Sequence, residues 1–123
     1  MGRVETFNPR KDYRNVKWDD RLVRDFNTDS NGEPFDDTMV EMVWTKAKTV
    51  EGHDPSMMRR DACGVFIERK KYGHKIGTGW EIDHVVPVSK GGGDNMENLQ
   101  PLQWENNRHK GNQHPDWKCK ISF

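Results

Sequence analysis

The sequence predicts an α+β fold in one small domain, on three observations. A chain of 123 residues that is 32% hydrophobic, with mean hydropathy −1.09, supplies one thin core and little material for a second. Around Thr38 the apolar residues recur at helical spacing, whereas Val65 to Arg69 and Trp80 to Val88 have the branched and aromatic content of strands. From Trp80 to Gly111 the order strand, glycine loop, strand, short helix puts both element types into one unit.

Residues 1–35 alternate charge, Asn, Gly and Pro without a sustained period. They read as an N-terminal arm pinned to the domain by Phe7, Tyr13, Trp18, Phe26 and Phe35. Residues 36–56 follow as a covering helix and turn. Thr38 and Glu41 have the T-x-x-E spacing of a capping box, and Met39, Val40, Val43, Trp44 and Ala47 share one stripe of a helix expected to end near Lys48. Gly52, Asp54 and Pro55 then break the chain. Residues 57–112 form the central unit, and 113–123 a C-terminal tail.

In the second strand region Trp80, Ile82 and Val86 are expected on one face, with Pro87 marking an edge or an exit from the sheet. Gly91, Gly92 and Gly93 require a wide loop. Asn98 to Leu102 reads as a second short strand interrupted by Pro101, and Gln103 to Lys110 as a helix stopped by Gly111. Trp80 and Trp104 are expected to pack that helix on the hairpin.

Net charge is zero, but the halves differ. Residues 1–56 carry 9 Lys and Arg against 12 Asp and Glu, and residues 57–123 carry 11 against 8. The positive half holds the chemistry, a local basic footprint compatible with a polyanionic partner. Cys63 and Cys119 lie far apart and outside any C-x-x-C pair, so no structural zinc is expected, and the two read as free thiols in a reducing compartment. With no membrane-length apolar run and no secretory signal pattern, the chain reads as a soluble intracellular protein without a membrane partner.

The segment GWEIDHVVPVSKGGGDNMENLQPLQWENNRHKG, from Gly79 to Gly111, spaces a carboxylate, an imidazole and two amides along its elements. Asp83 is a hard oxygen donor suited to a divalent cation, and the Asn107 carbonyl supplies a second oxygen. Adjacent residues on an ideal strand face opposite ways, so the backbone is expected to bend, bulge or end at Asp83-His84. Asn107 and Lys110, three apart, share a helix face.

These residues resemble the HNH endonucleases of the ββα-metal, or His-Me finger, superfamily. The likeness is tight over about a quarter of the chain and looser back to Asp54. It implies a small single domain with a ββα-metal hairpin-plus-helix motif, residues 57–112 being the nuclease core, that hydrolyses DNA phosphodiester bonds and leaves 5′ phosphates. Its catalytic set maps onto His84, Asp83, Asn98 and Asn107: His84 as general base, Asp83 and Asn107 as ligands of one metal ion, and Asn98 as the brace of the glycine loop. The third motif letter is Asn107 where many members have His, which shifts the expected cofactor to Mg²⁺, with Mn²⁺ as the alternative. Duplex DNA is the implied partner. Arg59, Arg60, Arg69, Lys70, Lys71 and Lys75, with Arg108 and Lys110, are the candidate phosphate contacts, Lys110 beside the metal and Lys118 and Lys120 as an extension. The alternative is a module of the same fold that binds nucleic acid without cutting it.

Overall fold

A computed structural model describes residues 24–122. Phe7, Tyr13 and Trp18 lie outside the described residues. The elements, in order, are α1 (Asp37–Trp44), β1 (Met58–Arg60), β2 (Phe66–Glu68), β3 (Trp80–His84), β4 (Leu99–Gln103) and α2 (Trp104–Lys110). Two short antiparallel sheets, β1 with β2 and β3 with β4, and two helices make the mixed α+β architecture.

Helix α1 buries Val40, Val43 and Trp44, the stripe its spacing predicts. Its cap is Asp36 rather than Thr38, with Asp36 Oδ1 accepting from Met39 N–H at 2.8 Å. Glu41 does not reach back to the start; its carboxylate takes the Arg69 guanidinium at 2.6 Å. The helix also stops at Trp44, short of Lys48, because Lys48 exchanges both backbone hydrogen bonds with Arg60 in a β-bridge. β1, which pairs with β2, is a strand the sequence reading left out. In the hairpin, Arg59 opposes Ile67 and Arg60 opposes Phe66.

The second hairpin pairs Trp80 with Gln103 through to His84 with Leu99. Pro101 sits opposite Ile82, so its missing N–H costs no ladder bond provided Ile82 N–H points outward. It does, donating to Asn27 Oδ1 at 2.8 Å. Asn27 also accepts from the Tyr72 hydroxyl and adopts a left-handed backbone with φ 61°, a conformation Asn tolerates better than most residues. The segment after residue 23 is thereby latched to the free edge of β3 by polar groups as well as by Phe26 and Phe35.

The core gathers Phe35, Val43, Trp44, Ile67, Trp80, Ile82 and Leu99. Trp80 is fully buried, with ring centroids 5.3 Å from Trp44 and 4.9 Å from Tyr72. It therefore packs the hairpin on α1, and not on α2 as expected. Asp61, 1% exposed, joins the two halves: one oxygen closes the β1–β2 turn on the N–H groups of Cys63 and Val65, and the other accepts from Gln103 N–H and the Asn106 amide at the start of α2.

The cysteines correct the sequence reading. Cys63 and Cys119 form a disulfide across 56 residues of chain, with Cα atoms 5.9 Å apart. The inference to a reducing compartment rested on free thiols and falls with them. The tail returns to the domain because Asn106 holds it, its Oδ1 accepting from Lys120 and Ile121 N–H and its amide donating to Ile121 O. Among the described residues no helix is long and apolar enough to cross a membrane.

Candidate metal-dependent active site

Strand β3 is buried along its whole length, and each face has a separate task. Glu81 and Asp83 face α2, whereas Trp80, Ile82 and His84 face the core and Phe35. The strand ends at His84. A small cavity of about 30 Å³ is bordered by Asp83, His84, Asn107, Ile82, Phe26 and Asn27. These include residues of both faces and of the segment latched to the free edge, so the cavity lies along that edge, where neighbours of opposite orientation can border one space.

The imidazole of His84, 3% exposed, is held through Nε2 by Asp94 Oδ1 at 2.8 Å. Asp94 is fixed in turn by Ser30, whose N–H and hydroxyl reach its carboxylate at 3.0 and 2.6 Å. Burial pushes the Asp94 carboxyl up, but the hydrogen bonds from His84 and Ser30, with the His84 charge, outweigh it and leave the carboxyl below its ordinary value. His84 Nδ1 makes no hydrogen bond with the described residues, which leaves that nitrogen for a proton.

Asn98 locks the loop between β3 and β4. Its amide donates to Val86 O and Gly93 O at 3.0 and 2.9 Å, and its Oδ1 accepts from Val86 N–H at 2.8 Å. The turn needs Gly92, where a Cβ would lie 1.7 Å from Val86 O and 2.8 Å from the Asn98 amide nitrogen. The preceding Gly91 takes φ 92°, where side chains are strained.

Asn107 donates from its amide to Glu81 Oε1 at 2.8 Å, leaving its carbonyl oxygen as the group open to a cation. Glu81 also binds Arg108 in a two-point pair, at 3.0 and 2.8 Å. The Glu81 hydrogen bond raises the Arg108 pKa against the opposing effect of burial. Asp83 accepts from Gln100 at 2.9 Å and faces Lys110 Nζ at 3.2 Å. Burial pushes the Asp83 carboxyl up, against the Lys110 charge and the hydrogen bonds it receives.

Two hard oxygens bordering one cavity, an Asp carboxylate and an amide carbonyl whose nitrogen is already engaged, suit a divalent cation that keeps most of its waters. Among the described residues no group of three or more His, Cys, Asp or Glu is placed to hold a metal.

The basic residues separate into two groups. Lys110, expected beside a phosphate, is 1% exposed and spends its ammonium on Asp83 and on His84 O at 3.0 Å. Arg59 donates to Pro55, Thr45 and Ala47 carbonyls beyond the end of α1, Arg69 pairs with Glu41, and Arg108 pairs with Glu81 beneath the Phe26 ring. Arg60 stacks on Phe66, while Lys70 and Lys75 are exposed and Lys71 half-buried. Four of the eight expected residues, Arg59, Arg69, Arg108 and Lys110, are therefore engaged by groups of the protein itself.

Sequence reasoning missed Asp94, Glu81, Gln100 and Ser30. Glu81 carried a signal, since it lies two residues before Asp83 and so shares its strand face. Asp94 closes the glycine run but reaches His84 only through the folded loop, and Ser30 is 64 residues from Asp94.

Residues 62–113 match a protein family described as HNH endonuclease. The match takes in β2, β3, the glycine loop, β4 and α2, and leaves out α1 and β1. No curated protein and no solved structure matches the chain.

Proposed function

We propose that this chain, whose residues 62–113 match the HNH endonuclease family, is a divalent-metal-dependent endonuclease that hydrolyses DNA phosphodiester bonds, with His84 as general base. The observation that carries this reading is the convergence of Asp83, His84 and Asn107 on one cavity, each held by a polar partner.

The Asp94 carboxylate accepts a hydrogen bond from His84 Nε2–H, which keeps the lone pair on Nδ1 and directs it at an attacking water. Asn98 prevents the loop from shifting the imidazole. Asp83 and Asn107 would hold the cation, Mg²⁺ or Mn²⁺ by the hardness of both donors. Bound there, it supplies Lewis-acid charge to the phosphate and the departing 3′ oxygen. Gln100 and Glu81 keep the two donors oriented, as outer partners of a metal site do. Lys110 balances the buried Asp83 charge and ties α2 to the end of β3.

The test is cleavage of supercoiled and linear plasmid with Mg²⁺, comparing the parent with His84→Ala. Loss of the base should slow cleavage by about 10² to 10⁴-fold and leave metal affinity intact. Equal rates in the two proteins would remove the assignment. Binding without any Mg²⁺-dependent cleavage by the parent would instead favour the module that holds DNA uncut.

A further inference from the structure

A second cleft, of about 200 Å³, lies where the chain leaving α1 meets β1 and β4, lined by Lys46, Lys48, Arg60, Asp61, Val85 and Gln100 among others. Lys48 and Arg60 exchange both backbone hydrogen bonds at 2.8 Å, so their side chains stand directly opposite each other on one side. Like charges so placed destabilise a β-pair unless an anion lies between them. Among the described residues neither side chain has an ion pair or hydrogen bond. Arg60 lies over the Phe66 ring at 4.6 Å, and its Nε is buried without a partner. Lys46 is held at the wall by the carbonyls of Met96 and Leu99. The one acid in the lining, Asp61, has both oxygens occupied by four donors. The cleft is therefore a built surplus of positive charge.

Its far wall belongs to the catalytic hairpin. Gln100 donates to Asp83 Oδ2 at 2.9 Å, and Val85 follows His84 directly. We propose that this cleft binds a backbone phosphate of the DNA strand close to the scissile one, with Lys48 and Arg60 as its ligands and Lys46 as a fixed neighbouring charge. A phosphate between Lys48 and Arg60 accepts the unused guanidinium donors and relieves the repulsion across the bridge. The proposal rests on the nuclease reading and routes the substrate backbone past β1 and β4 rather than along Lys70, Lys71 and Lys75.

The experiment is duplex binding at several salt concentrations in a His84→Ala background with Ca²⁺, so that cleavage does not enter. Lys48→Ala with Arg60→Gln should weaken binding to all sequences alike, by about tenfold, and flatten the slope of log affinity against log salt by about one, the value for one phosphate. Lys48→Ala alone, at an exposed side chain, should show part of the effect with the fold intact. A duplex with one neutral methylphosphonate near the cut should bind the background protein more weakly, while the double variant should lose little by the same change. Affinity and slope equal to the background protein's would overturn the cleft and leave the nuclease reading standing. Absence of DNA binding by the background protein, with Ca²⁺ bound, would overturn that reading and the cleft together.

Discussion

His84 Nε2 and Asp94 Oδ1 lie 2.8 Å apart, and the same carboxylate is clasped by Ser30 from 64 residues away. The imidazole is thus fixed by the far side of the glycine loop and by the segment before α1 together. Asp94→Ala should lower kcat by about 10 to 100-fold, the range for a partner that acts through another side chain, with KM nearly unchanged. Nitrogen NMR of the His84 ring at constant pH should show the Nε2–H tautomer in the parent and a mixture in the variant. An unchanged tautomer would show that Asp94 does not orient the ring.

The Asp83–Lys110 pair predicts a stability effect where the sequence reading expected a phosphate contact. Both residues are buried, at 6% and 1% exposure, and Nζ lies 3.2 Å from the carboxylate. Lys110→Met should cost about 3–5 kcal/mol in denaturant titrations, because it leaves a buried charge uncompensated. Adding Asp83→Asn should recover part of that loss. A double variant as unstable as the sum of the two single variants would mean that the charges are not coupled.

The metal donors should be separable by calorimetry. Asp83→Ala or Asn107→Ala removes one of two protein oxygens and should weaken Mg²⁺ binding, and excess metal should restore part of the activity. Asn107→His exchanges an amide oxygen for a softer nitrogen, so preference should move toward Mn²⁺, Ni²⁺ or Zn²⁺. Unchanged metal affinity in both alanine variants would remove these residues from the site.

Tyr72 predicts an alkaline transition. Burial pushes its phenol up to about 12, against the Asn27 hydrogen bond and with the help of the Glu81 charge. The ordinary value is about 10, so the fold favours the neutral phenol. Its contribution to stability is fully present below about pH 10 and is lost as pH rises toward about 12. Tyr72 donates to Asn27, which covers Ile82 N–H on β3, so the loss reaches the edge of the site. Denaturation midpoints should fall less steeply over this window in Tyr72→Phe than in the parent, and superimposable curves would sink the assignment.

What the sequence determined by itself is local. The Trp80–Gly111 order of strand, loop, strand and helix, the apolar stripe of α1 and the glycines of the loop follow from period and from backbone freedom, which a few consecutive residues specify. Asp83, His84, Asn98 and Asn107 were legible because their types and spacing belong to one short segment. The cap at Asp36 and the early end of α1 were not, since each depends on a competing partner: Arg69 takes Glu41, and Arg60 takes the backbone of Lys48. The same holds for charge. A run of Arg and Lys in sequence shows a basic composition, but only the fold decides that Arg59, Arg69, Arg108 and Lys110 are engaged with groups of the protein itself while Lys48 and Arg60 face each other with no ion pair among the described residues. Tertiary structure alone brought Cys63 to Cys119, Ser30 to Asp94 and Asn27 to Ile82, because closing loops of 56, 64 and 55 residues depends on the whole core and not on any local preference.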